Sequence, residues 1–219
     1  MALVGAANII LNPQSTCVLE RAQMLSPKGI CKVFDVDADG YIRSEGVGMV
    51  LIKKVNPQEH FRGVKIVAYA MGHNGRSAGL TVPNGRSQLE LISAAIRQTN
   101  LGEISFVEAH ATGTPIGDPI EVRAIREAFE KANLNPEVRL CSSKSQLGHC
   151  EAAAGVASFL TTLMSLENGY AVPNSHFMLR NDALMQNNTA MITSVFSVGE
   201  ELNAKRTALM NCFGFSGSN

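Results

Sequence analysis

The stretch ISFVEAHATGTPIGDPIEVRAIREAFEKA, residues 104–132, joins a predicted strand to a predicted helix. Its first part is mostly apolar and runs directly into a turn-forming segment, as a buried strand does. Asp118 is then placed to cap the helix N-terminus, with Pro119 in the first turn and Glu121 three residues after the cap. A strand, a small-residue turn and a capped helix in this order indicate one unit of a layered α/β fold.

The same alternation extends along the rest of the chain. Helix periodicity places Leu89, Ile92 and Ile96 on one face of a predicted helix at 87–99. A further helix at 151–169 is apolar nearly all round, which indicates burial on several sides. The remaining predicted elements are a short helix at 15–25, a buried strand at 2–10, strands at 47–55, 64–72 and 138–144, and a strand with a glycine-rich loop at 207–217.

The composition is that of a globular protein and excludes several classes of function. Hydrophobic residues make up 45% and charged residues 17% of 219 residues, and the formal net charge is zero. Nucleic-acid binding and attraction to a membrane surface therefore have no electrostatic support, and no apolar run is long enough for a membrane span. The five scattered cysteines have no CxxC spacing, so neither a zinc site nor a disulfide framework is predicted. We expect a cytoplasmic protein.

Residues 35–46, DVDADGYIRSEG, look at first like a calcium loop, with three aspartates at alternate positions followed by Gly40. Such a loop closes with a bidentate glutamate at position twelve, where this chain has Gly46. Position nine is Arg43, a cation where a ligand belongs. We therefore predict no metal site and interpret the segment as a polar loop that enters a strand.

Three loops that follow predicted strands carry the residues best suited to chemistry. His110 ends the strand at 104–110, Lys144 ends the strand at 138–144, and His149 stands just before the long helix. Residues 211–219, NCFGFSGSN, allow close backbone approach, with N–H groups free for an oxyanion. Loops at one edge of an α/β sheet meet in space. Locally, structural roles remain open: a hydrogen-bonding His110, a solvated Lys144, a helix-capping His149 and a plain turn.

His149 is expected to stay neutral. The unpaired N–H groups of a helix N-terminus disfavour a nearby cation, which leaves the imidazole as a neutral hydrogen-bond donor. Two histidines and a lysine beside a glycine-rich loop form an acyl-transfer site that lacks only its nucleophile. Among the cysteines, only Cys150 is expected near this site, and its sequence context does not favour a nucleophile.

Five segments resemble, in order, motifs of the β-ketoacyl synthases, the condensing domains of fatty-acid and polyketide synthases. The segment VEAHATGTPIGDPIEV is similar to VEAHGTGT-x-x-GDP-x-E, and SSKSQLGHCEAAAGVA to K-S-x-x-GH-x-E-x-A-AG. The segment FGFSGSN is similar to the motif FGFGGTN, and GHNGRSAGLTVPNG is similar to NxDGxxxGLTxPNG. The segment CKVFDVDADGYIRSEGVGMVLIKK is similar to C-x-x-FDxxADGYxRxEG. Together they cover nearly the whole chain.

The resemblance implies a thiolase-like fold of two pseudo-repeated α/β halves. Residues 1–57 would be a remnant of the N-terminal half, and residues 58–219 most of the C-terminal half. The implied reaction is decarboxylative Claisen condensation of an acyl thioester with a malonyl unit on an acyl carrier protein. That protein and the remainder of the synthase are the implied partners, in a homodimer when complete. The phosphopantetheine arm carries the substrate, and no directly bound cofactor is implied.

The same resemblance assigns roles to individual residues. His110 and His149 match the histidines that polarise the malonyl thioester carbonyl and stabilise the enolate. Lys144 matches the lysine that helps to order the site, and Thr112 and Thr114 match the threonines that hold the phosphopantetheine arm. Phe213 and Phe215 match residues of the gate and oxyanion loop. The backbone N–H of Phe215 would help to form the oxyanion hole.

The chain departs from the family pattern in ways that matter for activity. Ala111 replaces a glycine, from which we expect slight loop strain, and Ser216 and Ser218 replace Gly and Thr. The family's nucleophilic cysteine, in a DTACSS segment, is expected upstream of residue 1. We therefore expect a fragment that is inactive alone. The alternatives are one part of a split synthase, or a non-catalytic partner that binds carrier protein and sets chain length.

The resemblance also gives the loop at 35–46 a position, as the entry to the last strand of the first half. Asp35, Arg43 and Glu45 are then expected to form hydrogen bonds and ion pairs that fix a long loop beside the site.

Overall fold

The computed structural model describes residues 1–56, 61, 63–75, 79, 82–135, 138–178, 200–202, 206–215 and 217–219. The predicted boundary between residues 57 and 58 lies outside these ranges, as does Ser216. The described strands are Ala2–Asn8 (β1), Gly46–Ile52 (β2), Phe106–Glu108 (β3), Arg139–Cys141 (β4), Tyr170–Ala171 (β5), Glu200–Glu201 (β6) and Ala208–Met210 (β7). The described helices are Pro13–Arg21 (α1), Gly85–Arg97 (α2), Gly117–Lys131 (α3), Lys144–Leu147 (α4) and Ala154–Asn168 (α5), with a 3-10 turn at Glu151–Ala153.

A parallel sheet in the order β4-β3-β7 carries the loops that matter for function. Glu108, the last residue of β3, is in register with Cys141 of β4 and Met210 of β7. Because the three strands run in the same direction, their carboxyl ends lie at one edge, and the loops that follow leave the sheet side by side. The prediction that three strand-following loops meet is confirmed.

Helices α2 and α3 pack against each other and supply much of the core around β3 and β4. Helix α3 buries Val122, Ile125 and Phe129, whose spacing places them on one face. Ile92 of α2 is buried, and Leu89 and Ile96 pack against the same cluster. The predicted apolar face of α2 is therefore confirmed.

Strands β1 and β2 form a separate antiparallel ribbon. The prediction of a buried strand at 2–10 is wrong in its burial, since Leu3 of β1 is 64% exposed and Met49 of β2 is 65% exposed. Helix α5 contacts β2, and a Cβ at Gly48 would lie 2.6 Å from Val156 Cγ1, so only glycine permits this approach. Within the described residues the ribbon is covered on one face only, which leaves alternate apolar side chains exposed.

Three local predictions differ from the structure. Residues 64–72 are not in a strand, and among the described residues the backbone hydrogen bonds of this segment are those between Gly72 and Asn219. Helix α3 begins at Gly117 with Ile116 as its N-cap residue, so Asp118 does not cap it. Lys144 does not end a strand but begins the single turn α4.

No described helix is both long enough and apolar enough to span a membrane.

The loop at 35–46 is held by the three side chains that were predicted to hold it. Asp35 accepts hydrogen bonds from the backbone N–H groups of Asp37 and Met178, both at 2.8 Å. Glu45 accepts one from Ile10 at 2.6 Å. Arg43 makes a bidentate ion pair with Glu151, with N–O distances of 2.6 and 2.8 Å. The acidic residues of this segment therefore serve loop structure.

We predict that Arg43→Ala lowers the free energy of unfolding by about 3 kcal/mol, because it leaves a partly buried carboxylate without its cation. Arg43 also donates hydrogen bonds to Ser15 and Thr16 of α1, so the variant loosens that contact as well. Chemical denaturation followed by circular dichroism measures the change. The control is Arg86→Ala, which breaks a surface pair with Glu90 and should cost less than about 1 kcal/mol. Equal losses for the two variants would contradict the prediction.

Candidate active site

A cavity of about 720 Å³ opens at the edge of the parallel sheet where β3, β4 and β7 end. Six of the seven predicted site residues line it: His110, Thr112, Thr114, His149, Phe213 and Phe215. The seventh, Lys144, is 3% exposed and is not part of the lining. The structure thus brings together residues that are more than one hundred positions apart in the sequence.

His110 follows β3 and is held on both its backbone and its ring. Its backbone N–H donates to Glu121 Oε1 at 2.8 Å, and its Nδ1 accepts a hydrogen bond from the backbone N–H of Phe213 at 3.3 Å. Burial, together with the charges of Lys144 and His149, lowers the pKa of His110 well below its usual range. The imidazole is therefore neutral, and because Nδ1 accepts, its proton is on Nε2.

His149 reaches the same state through different contacts. An isolated β-bridge ties its backbone to the loop at 42–44, with hydrogen bonds of 2.8 Å to Ile42 and 3.0 Å from Ser44. Its Nδ1 accepts the backbone N–H of Glu151 at 2.9 Å. Burial, and secondly the charge of Lys144, lower the pKa of His149 to about 3. This agrees with the neutral state expected from the sequence, but its causes are burial and the charge of Lys144 and not a helix terminus.

The two histidine rings lie edge to face, with centroids 5.6 Å apart and an interplanar angle of 83°. Both rings line the cavity, and each carries its proton on Nε2. Both rings therefore offer a neutral N–H donor to the same cavity. Tyr41 packs against His149 with ring centroids 5.1 Å apart, which restricts the ring from its other side.

Glu121 was interpreted from the sequence as a helix-capping residue, but it has a different role. Its buried carboxylate accepts the backbone N–H groups of His110 and Ala111, both at 2.8 Å, and the side-chain amide of Asn211 at 2.9 Å. Burial raises the pKa of Glu121, and these hydrogen bonds and Lys144 oppose the rise. Asn211 was not identified from the sequence, because nothing local marks it as a partner for a residue 90 positions away.

Asp118 acts in the same way one helical turn earlier. Its Oδ1 accepts the backbone N–H groups of Thr112 at 3.1 Å and Gly113 at 3.2 Å, and its Oδ2 accepts that of Phe34 at 3.0 Å. Burial raises the pKa of Asp118 to about 7, against the effect of its hydrogen bonds. Asp118 therefore joins the His110 loop to the loop that precedes residue 35.

The hydroxyl oxygens of Thr112 and Thr114 lie 3.3 Å apart at the cavity wall. Thr114 Oγ1 also accepts the backbone N–H of Gly117, at the start of α3. On the opposite loop, Phe213 is buried and Phe215 is 55% exposed. The cavity wall thus carries a fixed pair of hydroxyl groups, a buried ring and an exposed ring.

Two sequence expectations about this region are wrong. Ala111 has no positive φ, and the left-handed conformation is at Gly113, with φ of 72°, so the extra methyl group does not strain the loop. Cys150 is not the cysteine nearest to the site. Its Sγ lies 3.1 Å from Ser44 Oγ, outside the cavity lining, whereas Cys212 is part of that lining.

The fold and the site are those of an α/β protein with two neutral histidines in one cavity at the edge of a parallel sheet. Comparisons with known proteins identify its family. The family model for the N-terminal domain of β-ketoacyl synthase matches residues 1–57, and that for the C-terminal domain matches residues 64–178. The chain belongs to the β-ketoacyl synthase family.

Relatives of known sequence are polyketide synthases. The chain is 40% identical over 183 residues to a phenolphthiocerol/phthiocerol polyketide synthase polypeptide of Mycobacterium tuberculosis, a match covering 81% of this chain and 8% of that protein. It is 39% identical over 227 residues to the highly reducing polyketide synthase ausV of Aspergillus calidoustus, covering 100% of this chain and 9% of the relative. The chain thus spans less than a tenth of the length of these relatives.

Solved ketosynthase structures share the fold. The ketosynthase from module 6 of the bacillaene synthase of Bacillus subtilis 168 superposes with a TM-score of 0.90 at 32% identity, covering 100% of this chain and 40% of that one. The oxazolomycin ketosynthase domain OzmH KS7 of Streptomyces albus JA3453 gives 0.89 at 32%, with the same coverage. The predicted thiolase-like α/β fold is confirmed.

The neutral state of His149 predicts a pH dependence of stability. Its pKa falls from about 6.5 in the unfolded chain to about 3 in the folded one. Stability is therefore fully present above pH 6.5 and is lost as the pH falls towards 3, because only the unfolded chain takes up the proton. Relative to His149→Asn, the unmodified chain should lose about 1.4 kcal/mol per pH unit in this window.

Urea denaturation of both proteins between pH 7.5 and about 4.5 measures this difference. The buried carboxyl groups with raised pKa, such as Asp118, have the opposite pH dependence, but they are common to both proteins and cancel. Asparagine keeps an oxygen for the Glu151 N–H and carries no titrating proton. A difference in stability that does not change with pH would show that His149 is not held neutral.

Proposed function

We propose that this chain forms the decarboxylating part of a ketosynthase site that acts on a malonyl unit carried by an acyl carrier protein. The observation that supports this most strongly is the pair of neutral histidines, each with Nδ1 occupied by a backbone N–H and both lining one cavity. Neutral Nε2–H donors stabilise negative charge on oxygen without giving up a proton. They fit an enolate oxygen better than they fit general-base catalysis.

In the proposed step, the thioester carbonyl oxygen of the malonyl unit accepts hydrogen bonds from His110 and His149. The bond between the α-carbon and the carboxylate breaks, CO2 leaves, and the electron pair becomes the enolate. The enolate carbon then attacks the acyl thioester held on a cysteine, which forms the new C–C bond and releases the cysteine thiolate. No redox agent is needed, so atoms and electrons balance.

The other site residues have supporting roles in this proposal. The Thr112 and Thr114 hydroxyls are suited to hold the amides of the phosphopantetheine arm, since both line the cavity. The Lys144 charge lowers the pKa of both histidines, which keeps them neutral. Phe213 contacts His110 through its backbone N–H, and Phe215, exposed on the cavity wall, is suited to gate the cavity.

We infer that the acyl-accepting cysteine is supplied by a segment outside these 219 residues. That segment can belong to the same polypeptide or, in a split synthase, to another chain. Reading the gene upstream for a DTACSS-type segment distinguishes these cases. A purely non-catalytic partner is less well supported, because the chain retains both histidines in one cavity and the lysine whose charge favours their neutral state. Homodimerisation of the complete domain and a cytoplasmic location stay predictions.

Without the acyl-accepting cysteine, the chain alone should stay inactive in condensation, but it should still release CO2 from malonyl-pantetheine. His110→Ala or His149→Ala should lower the rate of this partial reaction by about 100-fold, in line with the loss of one oxyanion donor. Carbon-13 NMR of carboxyl-labelled substrate follows the release. His176→Asn serves as the control, because His176 is exposed and outside the cavity lining. A rate that the two cavity variants leave unchanged would overturn the proposed role of the histidines.

The chain should not become acylated by a simple acyl thioester. Incubation with acetyl-pantetheine followed by intact-protein mass spectrometry should show no added acetyl group, since Cys150 lies outside the cavity lining and no cysteine stands in a nucleophile motif. A thioester adduct on Cys150, or on Cys212 of the cavity wall, would show that this chain carries its own acyl-accepting thiol.

A further inference from the structure

Gln88 is a buried polar residue of the cavity wall that no role described so far uses. It lies one turn into α2, is 3% exposed and lines the same cavity as His110 and His149. Its Oε1 is buried and accepts no hydrogen bond.

The neighbouring buried groups of this wall are satisfied differently. Asp118 and Glu121, which line the same cavity, each accept three hydrogen bonds from the protein itself. Buried polar groups of native proteins nearly always have a partner, and an unpartnered one destabilises the fold. Oε1 has less than 1 Å² of accessible surface in this conformation, so the amide must rotate towards the cavity before a ligand can pair with it. No protein hydrogen bond to Oε1 opposes that rotation, and a partner that enters the cavity would then satisfy the amide.

The backbone around Gln88 is fixed, so the residue is presented on a rigid element. Asn84 caps α2 by accepting the N–H groups of Arg86 and Ser87, and its own amide donates to Asn74 O at 2.8 Å. Gly85 brings α2 close to α3, because a Cβ there would lie 3.1 Å from Ile120 Cγ2. This contact holds α2 against α3, and Gln88 lines the same cavity as Thr112 and Thr114.

We propose that Gln88 is a substrate-positioning residue whose side-chain amide hydrogen-bonds to an amide of the pantetheine arm. The inference rests on the proposed function, because that function supplies a ligand with amide groups. An amide both donates and accepts, as the arm's amides do, so one pairing can satisfy both groups. Gln88 then discriminates the arm from an acyl thioester that lacks amides.

The test separates binding from stability. Gln88→Met keeps the length of the side chain and removes its polar atoms. Since no protein hydrogen bond to Oε1 is lost, Tm should not fall and should rise by up to about 3 °C. The affinity for S-acetyl-pantetheine, measured by ligand-observed NMR on the full chain, should fall about fivefold to tenfold. A residue with only a structural role would show the reverse.

Gln98→Met on the same helix is the matched control. The Gln98 amide donates to Tyr69 O at 2.8 Å and Ala94 O at 3.1 Å, so its loss should lower Tm and leave the affinity unchanged. A second ligand, S-acetyl-N-acetylcysteamine, keeps only the amide next to the sulfur. If Gln88→Met lowers the affinity for this ligand as much as it does for S-acetyl-pantetheine, Gln88 contacts that amide. If the affinity for this ligand does not change, Gln88 contacts the distal amide.

Two negative results have different meanings. If the unmodified chain binds S-acetyl-pantetheine and Gln88→Met binds it equally well, the role of Gln88 is overturned while the proposed function stands. If the unmodified chain binds neither thioester, the proposed function fails, and the role of Gln88 fails with it.

Discussion

The site depends on buried carboxylates that collect the backbone N–H groups of the loop after β3. Glu121 takes those of His110 and Ala111, and Asp118 takes those of Thr112 and Gly113. Four consecutive N–H groups that no strand or helix satisfies are thus paired with the first turns of α3, which fixes the His110 loop relative to that helix. Burial raises the pKa of both carboxyl groups, but unpaired backbone donors in the same place would cost more.

The second histidine is held from another part of the chain, and the loop at 31–46 connects the two. Phe34 donates to Asp118, and Gly40 donates to Gly113 O at 2.9 Å, so this loop lies against the His110 side. A few residues later, Arg43 pairs with Glu151, whose N–H fixes the His149 ring. Glu151 adopts φ of 43°, an uncommon conformation for a residue other than glycine. In that conformation its side chain pairs with Arg43 and its N–H donates to His149.

The sequence was informative where a signal is local and less so where it depends on distant partners. Strand, turn and helix order in residues 104–132 predicted the α/β class and the meeting of the loops, because parallel strands leave little choice. From the sequence, the loop-holding roles of Asp118 and Glu121 cannot be distinguished from helix capping. An acidic residue in the first turn of a helix can accept N–H groups of the helix itself or of a neighbouring loop. Burial of β1 was overestimated because apolar composition does not reveal which faces neighbouring elements cover.

The electrostatics of the cavity depend on one buried cation, Lys144, near two uncharged imidazole rings. Lys144 is buried, and its positive charge is opposed by Glu108 and Glu121, whose raised pKa values it lowers in turn. The same charge disfavours a proton on His110 or His149, so the rings stay neutral donors. In the proposed reaction, a positive field without an acidic proton would stabilise the enolate as it forms but would not protonate it. Carbon–carbon bond formation needs that combination, because a protonated enolate carbon can no longer attack a thioester.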